Sequence, residues 1–425
     1  MTRVPSKALL LSILFLIVFP SVAQDSAQAD KYPLKVSANG RHLAYQNGAP
    51  FLVVADAAWQ LLRKLNYADA IHYLDIRKSQ SINTVLVHAL PAQMNQKNYH
   101  NIPPFKNNQL SKPDPAYFDY LEKIVLAAKE RDLVIGIIIS RKSWNTLFES
   151  QDEERCRNYG AFISKKFAKF PNIVWIIGEE ENQEKFVYKA LSEGVRQHSQ
   201  NQLIASFSSC SPTSLPDSLN QTDLKFIIPD STVSVGEYAA LSAWQKNIGQ
   251  LYHRPFVVAN LELPKEVADQ SAIIRNQAYQ SVLSAGAGFC HSSTIKNFNP
   301  SWKVNITQDG AEYLKHFSNV LNHIPWEYMQ PDAHTVLTPD SLDHEEISTF
   351  FLPNKRMAML YIPSSRSIHL DLTPLKGDEF VAVWYSPRTG KRWPGGELKR
   401  SADAMIIPPN SQAEWDWILL VGSKN

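Results

Sequence analysis

Three cysteines in 425 residues, Cys156, Cys210 and Cys290, are too few and too scattered for a disulfide framework, and no Cys-x-x-Cys pair offers a zinc or redox site. They read as small buried apolar residues. Charge of one sign is also lacking: 43 Lys and Arg against 41 Asp and Glu leave a formal net charge of +2, which excludes the basic footprint of a nucleic-acid binder. Barrel metallohydrolases need His-x-His and zincins need His-Glu-x-x-His. Neither motif occurs, since His344-Glu345 has no second His four residues on. Gly-x-Ser-x-Gly and the P-loop are missing as well, which argues against serine-hydrolase and nucleotide-dependent chemistry. Gly286 and Gly288 are only two-thirds of a dinucleotide fingerprint and follow a helix-like stretch. No metal and no cofactor is therefore expected.

Long apolar runs are absent except at the start. Arg3 and Lys7 precede an apolar stretch from Ala8 to Val18, then Pro20 and the small-x-small site Ser21-Val22-Ala23 before Gln24. That order is the layout of a secretory signal, and the stretch is short for a bilayer span. Residues 1–23 are accordingly set apart as a signal peptide, and the protein is expected to be exported, periplasmic or secreted, with no stable membrane insertion. An uncleaved N-terminal anchor is the alternative.

Hydrophobic residues make up 44% of the chain, enough to bury a large core, and 425 residues at roughly 150 per domain predict about two or three domains. From Phe51 onward short β-branched runs alternate with longer amphipathic ones. The candidate strands are Phe51 to Ala55, Ile82 to His88, Leu133 to Ser140, Ile173 to Ile177, Leu203 to Phe207, Lys225 to Ile228, Pro255 to Asn260 and Gly286 to Cys290. Helix-like stretches lie between them, at Tyr117 to Glu130, Asp152 to Phe170, Lys185 to His198, Tyr238 to Gly249 and Ser271 to Ala285. Such alternation predicts an α/β fold, a (β/α)8 TIM barrel over residues 31–325. An open doubly wound sheet would want a Gly-rich phosphate loop, and none follows an early strand. The Pro-, Asn- and Gln-rich run from Pro91 to Pro115 is long for a barrel loop and is expected on the rim.

After Pro325 helical periodicity stops. Short strand-like runs at Ile347 to Leu352, Arg356 to Ile362, Ser367 to Leu372, Glu379 to Ser386, Ala404 to Ile407 and Trp415 to Val421 predict a C-terminal all-β sandwich over residues 326–425. No flexible linker intervenes, so the two parts are expected to pack together.

Reactive groups in such barrels sit at the C-terminal ends of strands. The first strand runs into Asp56 and Trp59, the fourth into Gly178-Glu179-Glu180-Glu181 and the seventh into Asn260-Leu261-Glu262. Acidic groups after strands four and seven point to glycoside hydrolysis, in which one carboxyl protonates the leaving oxygen and the other attacks the anomeric carbon or activates water. Two neighbouring carboxyls also separate in pKa, so an acid and a base coexist. The plainer alternative for the three glutamates is charge complementing a helix N-terminus. A carboxylate closing an apolar strand, as Glu262 does, needs a partner or a purpose. Asp56 and Trp59 suit a sugar subsite, one accepting hydroxyl protons and the other offering an apolar face. Arg141 and Trp144, after the third strand, are candidates for the same rim, although each Trp could equally pack inside and Arg141 could pair with a barrel carboxylate.

Ser37-Ala38-Asn39-Gly40-Arg41, Gln46-Asn47-Gly48-Ala49-Pro50-Phe51, Asp56-Ala57-Ala58-Trp59, Asp114-Pro115-Ala116-Tyr117-Phe118, Pro171-Asn172-Ile173-Val174-Trp175, Arg275 with Tyr279, Trp384-Tyr385-Ser386-Pro387-Arg388-Thr389-Gly390 and Asp416-Trp417-Ile418-Leu419-Leu420 occur in that order. With these blocks the chain resembles the apiosidase-like glycoside hydrolases, barrel enzymes followed by a β module often labelled collagen-binding. The resemblance implies Glu180 as general acid/base, in place of the family's Asp, and Glu262 as nucleophile. Glu179 and Asn260 beside them then fall to substrate binding. Together with the N-terminal signal it leads to the expectation of an exported glycoside hydrolase acting on a plant-type, pectic or other complex polysaccharide, with carbohydrate as the partner. Ser208-Ser209-Cys210 and Pro229-Asp230-Ser231-Thr232 depart from the family's pattern, which marks a rebuilt pocket. A barrel that binds glycans without turnover is the competing expectation.

Overall fold

The computed structural model describes residues 31–179, 185–210, 222–229, 248, 254–259, 270–332, 336–338, 347–412 and 414–424. An antiparallel meander comes first, β1 (Lys35–Val36), β2 (Leu43–Ala44) and β3 (Pro50–Phe51). Eight parallel strands follow: β4 (Val53–Ala57), β5 (Thr84–His88), β6 (Val134–Ile138), β7 (Ile173–Glu179), β8 (Ile204–Cys210), β9 (Leu224–Pro229), β10 (Phe256–Ala259) and β11 (Gly288–His291). They close into a barrel in the order β10-β11-β4-β5-β6-β7-β8-β9, as the alternation of runs predicted.

Closure depends on Gly288. Its φ of +151° is one that side chains rarely adopt, and a Cβ there would lie 1.9 Å from the carbonyl oxygen of Val53 on the neighbouring strand. The meander seals the N-terminal end of the barrel: Leu34, Leu43 and Phe51 pack onto the inward-facing Val53, Leu86, Val134, Val174, Leu224 and Phe226. That end is filled with apolar side chains, and the opposite face carries the loops.

Among the helices, α1 (Tyr67–Ser79) is capped by Asn66, whose side chain accepts from Asp69 N. Helix α2 (Pro115–Glu130) has Asp114 as cap and Pro115 in its first turn. Helix α3 (Glu153–Phe167) starts on Asp152, with Glu153 and Glu154 in its first turn and Lys165 and Lys166 in its last, matching the helix dipole. Then come α4 (Lys185–Arg196), α5 (Gln270–Leu283) and α6 (Leu314–Leu321). The helix expected at Tyr238 to Gly249 lies outside the described residues, apart from Ile248.

The C-terminal part holds β12 (Gln330–Asp332), β13 (Ser348–Phe351), β14 (Met357–Ile362), β15 (Ile368–Leu370), β16 (Glu379–Tyr385), β17 (Arg392–Lys399), β18 (Ala404–Ile406) and β19 (Trp417–Ser423). A six-stranded sheet, β12-β13-β14-β19-β16-β17, faces the two-stranded ribbon β15-β18. Leu360, Ile362 and Leu419 of the sheet share one core with Ile368, Leu370 and Ile406 of the ribbon.

The two parts are packed together through buried polar contacts. Arg275 of α5 forks onto Asp416, Nε to Oδ2 at 2.9 Å and Nη2 to Oδ1 at 3.0 Å, and the Tyr361 hydroxyl donates to the same carboxylate at 3.2 Å. Tyr279 stacks on Tyr361 with centroids 5.2 Å apart, and Tyr385 donates to the His316 carbonyl at 2.8 Å.

Candidate active site at the barrel mouth

Side chains alternate along a strand, so every second residue of β4 to β11 faces the lumen. At the C-terminal ends these are His88 on β5, Ile138 on β6, Phe207 on β8, Ala259 on β10 and Cys290 on β11. Trp59 turns back over this opening. Its half-buried ring lies 4.9 Å from the His88 ring at a 53° tilt and meets Phe207 edge-on at 5.9 Å. Arg141 follows β6, half-buried, with Nη1 3.5 Å from the Leu90 carbonyl oxygen. The Ser140 hydroxyl donates to the Ile177 carbonyl, which ties the end of β6 to the end of β7 and sets Arg141 beside the strand leading to Gly178-Glu179.

His88 is the residue that sequence reasoning missed, noted there only as the end of a strand. Its Nδ1 is shut from solvent and has no hydrogen-bond partner. Burial, and then the neighbouring Arg141 guanidinium, hold the imidazole well below its ordinary pKa. A neutral ring therefore stands at the mouth, able to donate from one nitrogen and accept at the other. The detectable signal was a lone His closing an otherwise apolar strand.

Two expected contacts are corrected. Asp56 is fully buried and points away from the lumen, because Ala55 and Ala57 take the inward positions on β4. Its Oδ2 accepts from Arg77 Nε of α1 at 2.7 Å and from the Tyr73 hydroxyl, so no sugar reaches it. Trp144 is likewise buried: its Nε1 donates to the Pro91 carbonyl at 2.8 Å and its ring packs on Phe105 at 5.6 Å. It anchors the Pro91 to Pro115 segment instead of presenting a face to ligand.

The Asp56 cluster extends outward. Arg77 Nη2 meets Asp309 Oδ2 at 2.6 Å, and His291 Nε2 lies 3.4 Å from the same oxygen. Burial pushes Asp56 up against the pull of Arg77; at Asp309 burial is outweighed by Arg77 and then His291, which hold its carboxyl well below the usual range.

Glu179 ends β7, where the pairing with β8 shifts register. Glu180, Asn260 and Glu262 lie outside the described residues. The described strands that precede them in sequence, β7 and β10, end on the same face of the barrel as Trp59, His88 and Arg141.

Residues 37–328 match the model of the family described as "Apiosidase-like, catalytic domain". The chain belongs to the apiosidase-like family. Residues 331–422 match a second model, described as "Putative collagen-binding domain of a collagenase". No curated protein matches the chain in sequence. A glycoside hydrolase family 5 structure from Bacteroides vulgatus ATCC 8482 superposes with a TM-score of 0.78 at 20% identity, covering 92% of this chain and 93% of its own. A structure titled "Glycoside hydrolase" gives 0.78 at 18%, covering 93% and 97%. An Anoxybacillus alpha-amylase gives 0.56 at 10%, covering 88% and 98%. At these identities the superpositions show the fold, and family membership with that fold supports glycosidase activity in this apiosidase-like chain.

Proposed function

We propose that this protein is an exported glycoside hydrolase that cleaves glycosidic bonds in a complex, plant-type polysaccharide or oligosaccharide with two carboxylates, Glu180 as general acid/base and Glu262 as nucleophile. The observation that carries this is the barrel mouth, where Trp59, a neutral His88 and Arg141 lie on the face at which β7 and β10, the strands preceding both acidic stretches in sequence, end. Trp59 offers the apolar face of a sugar a platform, and His88 exchanges hydrogen bonds with a hydroxyl without adding charge.

In the reaction, the Glu180 carboxyl gives its proton to the leaving oxygen while the Glu262 carboxylate attacks the anomeric carbon. The glycosyl-enzyme is then hydrolysed by water that Glu180, now a base, deprotonates. Retention requires the two carboxyls about 5 to 5.5 Å apart; inversion needs a wider gap. Export rests on the N-terminal charge, apolar and small-residue order, and N-terminal sequencing of the mature protein is expected to begin at Gln24.

The test is replacement of Glu262 by Gln. Hydrolysis of a responsive glycan is expected to fall by about a thousandfold or more, and Glu180→Gln to act most on substrates with poor leaving groups. Unchanged hydrolysis by Glu262→Gln would remove it from the mechanism. Glycan affinity with no product across a panel of pectic and other oligosaccharides would favour a binding protein, the reading supported by the altered residues after strands four, five and six.

A further inference from the structure

The buried cluster behind β4 closes a circuit around the Trp59 segment. Asp56 lies three residues before Trp59, and its Oδ2 is held by Arg77 Nε at 2.7 Å. Arg77 reaches with Nη2 to Asp309 Oδ2 at 2.6 Å, and Ser293 Oγ donates to that same oxygen at 2.8 Å. Ser293 caps the short turn Thr294–Asn297, accepting from Ile295 N at 3.3 Å. Within that turn the Lys296 carbonyl accepts from Gln60 N at 3.1 Å, and Gln60 is the residue after Trp59. The chain on either side of Trp59 is thus tethered, one side through Asp56 and the other through Lys296, and both tethers meet at Asp309.

We propose that Asp309 is a positioning residue for the substrate platform: through Arg77 and Ser293 it fixes the Trp59 indole over the mouth, without itself touching ligand. This rests on the reading of the mouth as a glycan site. The physical case begins with a chain that turns sharply after β4. The Trp59 ring is half-buried and rests on His88 and Phe207, so its orientation depends on how the backbone on either side is held as well as on those contacts. A stacking ring helps binding only if its orientation is fixed before the ligand arrives, and misplacement by about 1 Å is enough to lose much of that benefit. A buried arginine shared by two carboxylates is a poor way to gain stability alone, since an apolar cluster of the same volume often does as well. Directional tethers, by contrast, are what an arginine fork and a shared carboxylate oxygen supply.

The experiment is a double-mutant cycle with a substrate-free arm. Asp309→Asn is expected to raise KM for a hydrolysed glycan about fivefold with kcat held within about twofold, and to add nothing in the Trp59→Ala background, because contacting residues couple and independent ones add. Ser293→Ala, which leaves the Arg77 to Asp309 pair intact, is expected to shift KM in the same direction by less. In the substrate-free arm, N-bromosuccinimide oxidation mapped by mass spectrometry is expected to speed up at Trp59 in both variants, with half-buried Trp393 unchanged and buried Trp144 protected. Should Asp309→Asn loosen the whole fold and expose Trp144, Ser293→Ala decides. A KM effect of equal size with and without Trp59, or Trp59 oxidation unchanged in Ser293→Ala, overturns the proposal. If no glycan is turned over, the hydrolase reading fails by itself and the oxidation arm still settles the role of Asp309.

Discussion

At Trp59 and Trp144 the same residue type, whose indole could stack on a sugar or pack in a core, is sorted by its polar edge. The Trp144 indole N–H is already spent on the Pro91 carbonyl at 2.8 Å, with the ring buried, whereas the Trp59 ring stays half-exposed over the lumen. Trp144→Ala is therefore expected to cost about 3 to 5 kcal/mol of stability as a cavity mutation, read by urea unfolding. Trp59→Ala is expected to cost little stability and to act on KM. Sequence could not divide the two, because spacing from a strand end says nothing about which way a side chain turns. Asp56 is the same lesson in one strand: its place at the end of β4 was visible, but the alternation that sends it outward to Arg77 depends on a register that only the closed barrel fixes.

At the scale of elements, the barrel strands were legible because parallel strands buried on both faces read as continuous apolar runs, and all eight expected runs overlap strands of the barrel. Helix α1 was not among the helices named from sequence, since Arg77, Tyr73 and Gln80 do their work inside and blur its apolar stripe. Strand β17 was missed because Pro394, Gly395 and Gly396 read as a turn; at the edge of a sheet a proline is tolerated, and pairing slips between Ala382 and Val383 opposite it. The tether from α1 to Asp309 carries a pH signature. A carboxyl whose pKa is lower folded than unfolded contributes stability that is full above its unfolded pKa of about 3.9 and is lost as pH falls through the folded value. Asp309 is such a group. Wild type is thus expected to be more stable than Asp309→Asn at pH 7, and the gap to narrow as pH drops below about 4, measured by denaturant midpoints at several pH values. A gap independent of pH would mean that the carboxylate charge contributes nothing there.

For the whole molecule, the informative feature is that barrel and β module share a buried ion pair. Arg275, Tyr279 and Asp416 stood out in the sequence only as separate blocks; their meeting across more than a hundred residues belongs to the folded chain. Because the Asp416 carboxylate sits 2% exposed at the junction, removing Arg275 leaves a buried charge that the Tyr361 hydroxyl alone cannot balance. Arg275→Met is expected to cost about 3 to 5 kcal/mol and to split thermal unfolding in calorimetry into two steps, module and barrel. The pair Arg275→Met with Asp416→Leu removes both charges and is expected to recover most of that loss, since an apolar replacement of a buried ion pair is often neutral. If the double variant is as unstable as the single one, directional bonding holds the two parts together; if it recovers and still unfolds in one step, apolar packing around Tyr279 and Tyr361 is sufficient to couple them. Either way the module does more than trail the barrel, because Tyr361 of β14 and Asp416, the residue just before β19, are what Tyr279 and Arg275 of α5, the helix leading into the closing strand β11, pack against.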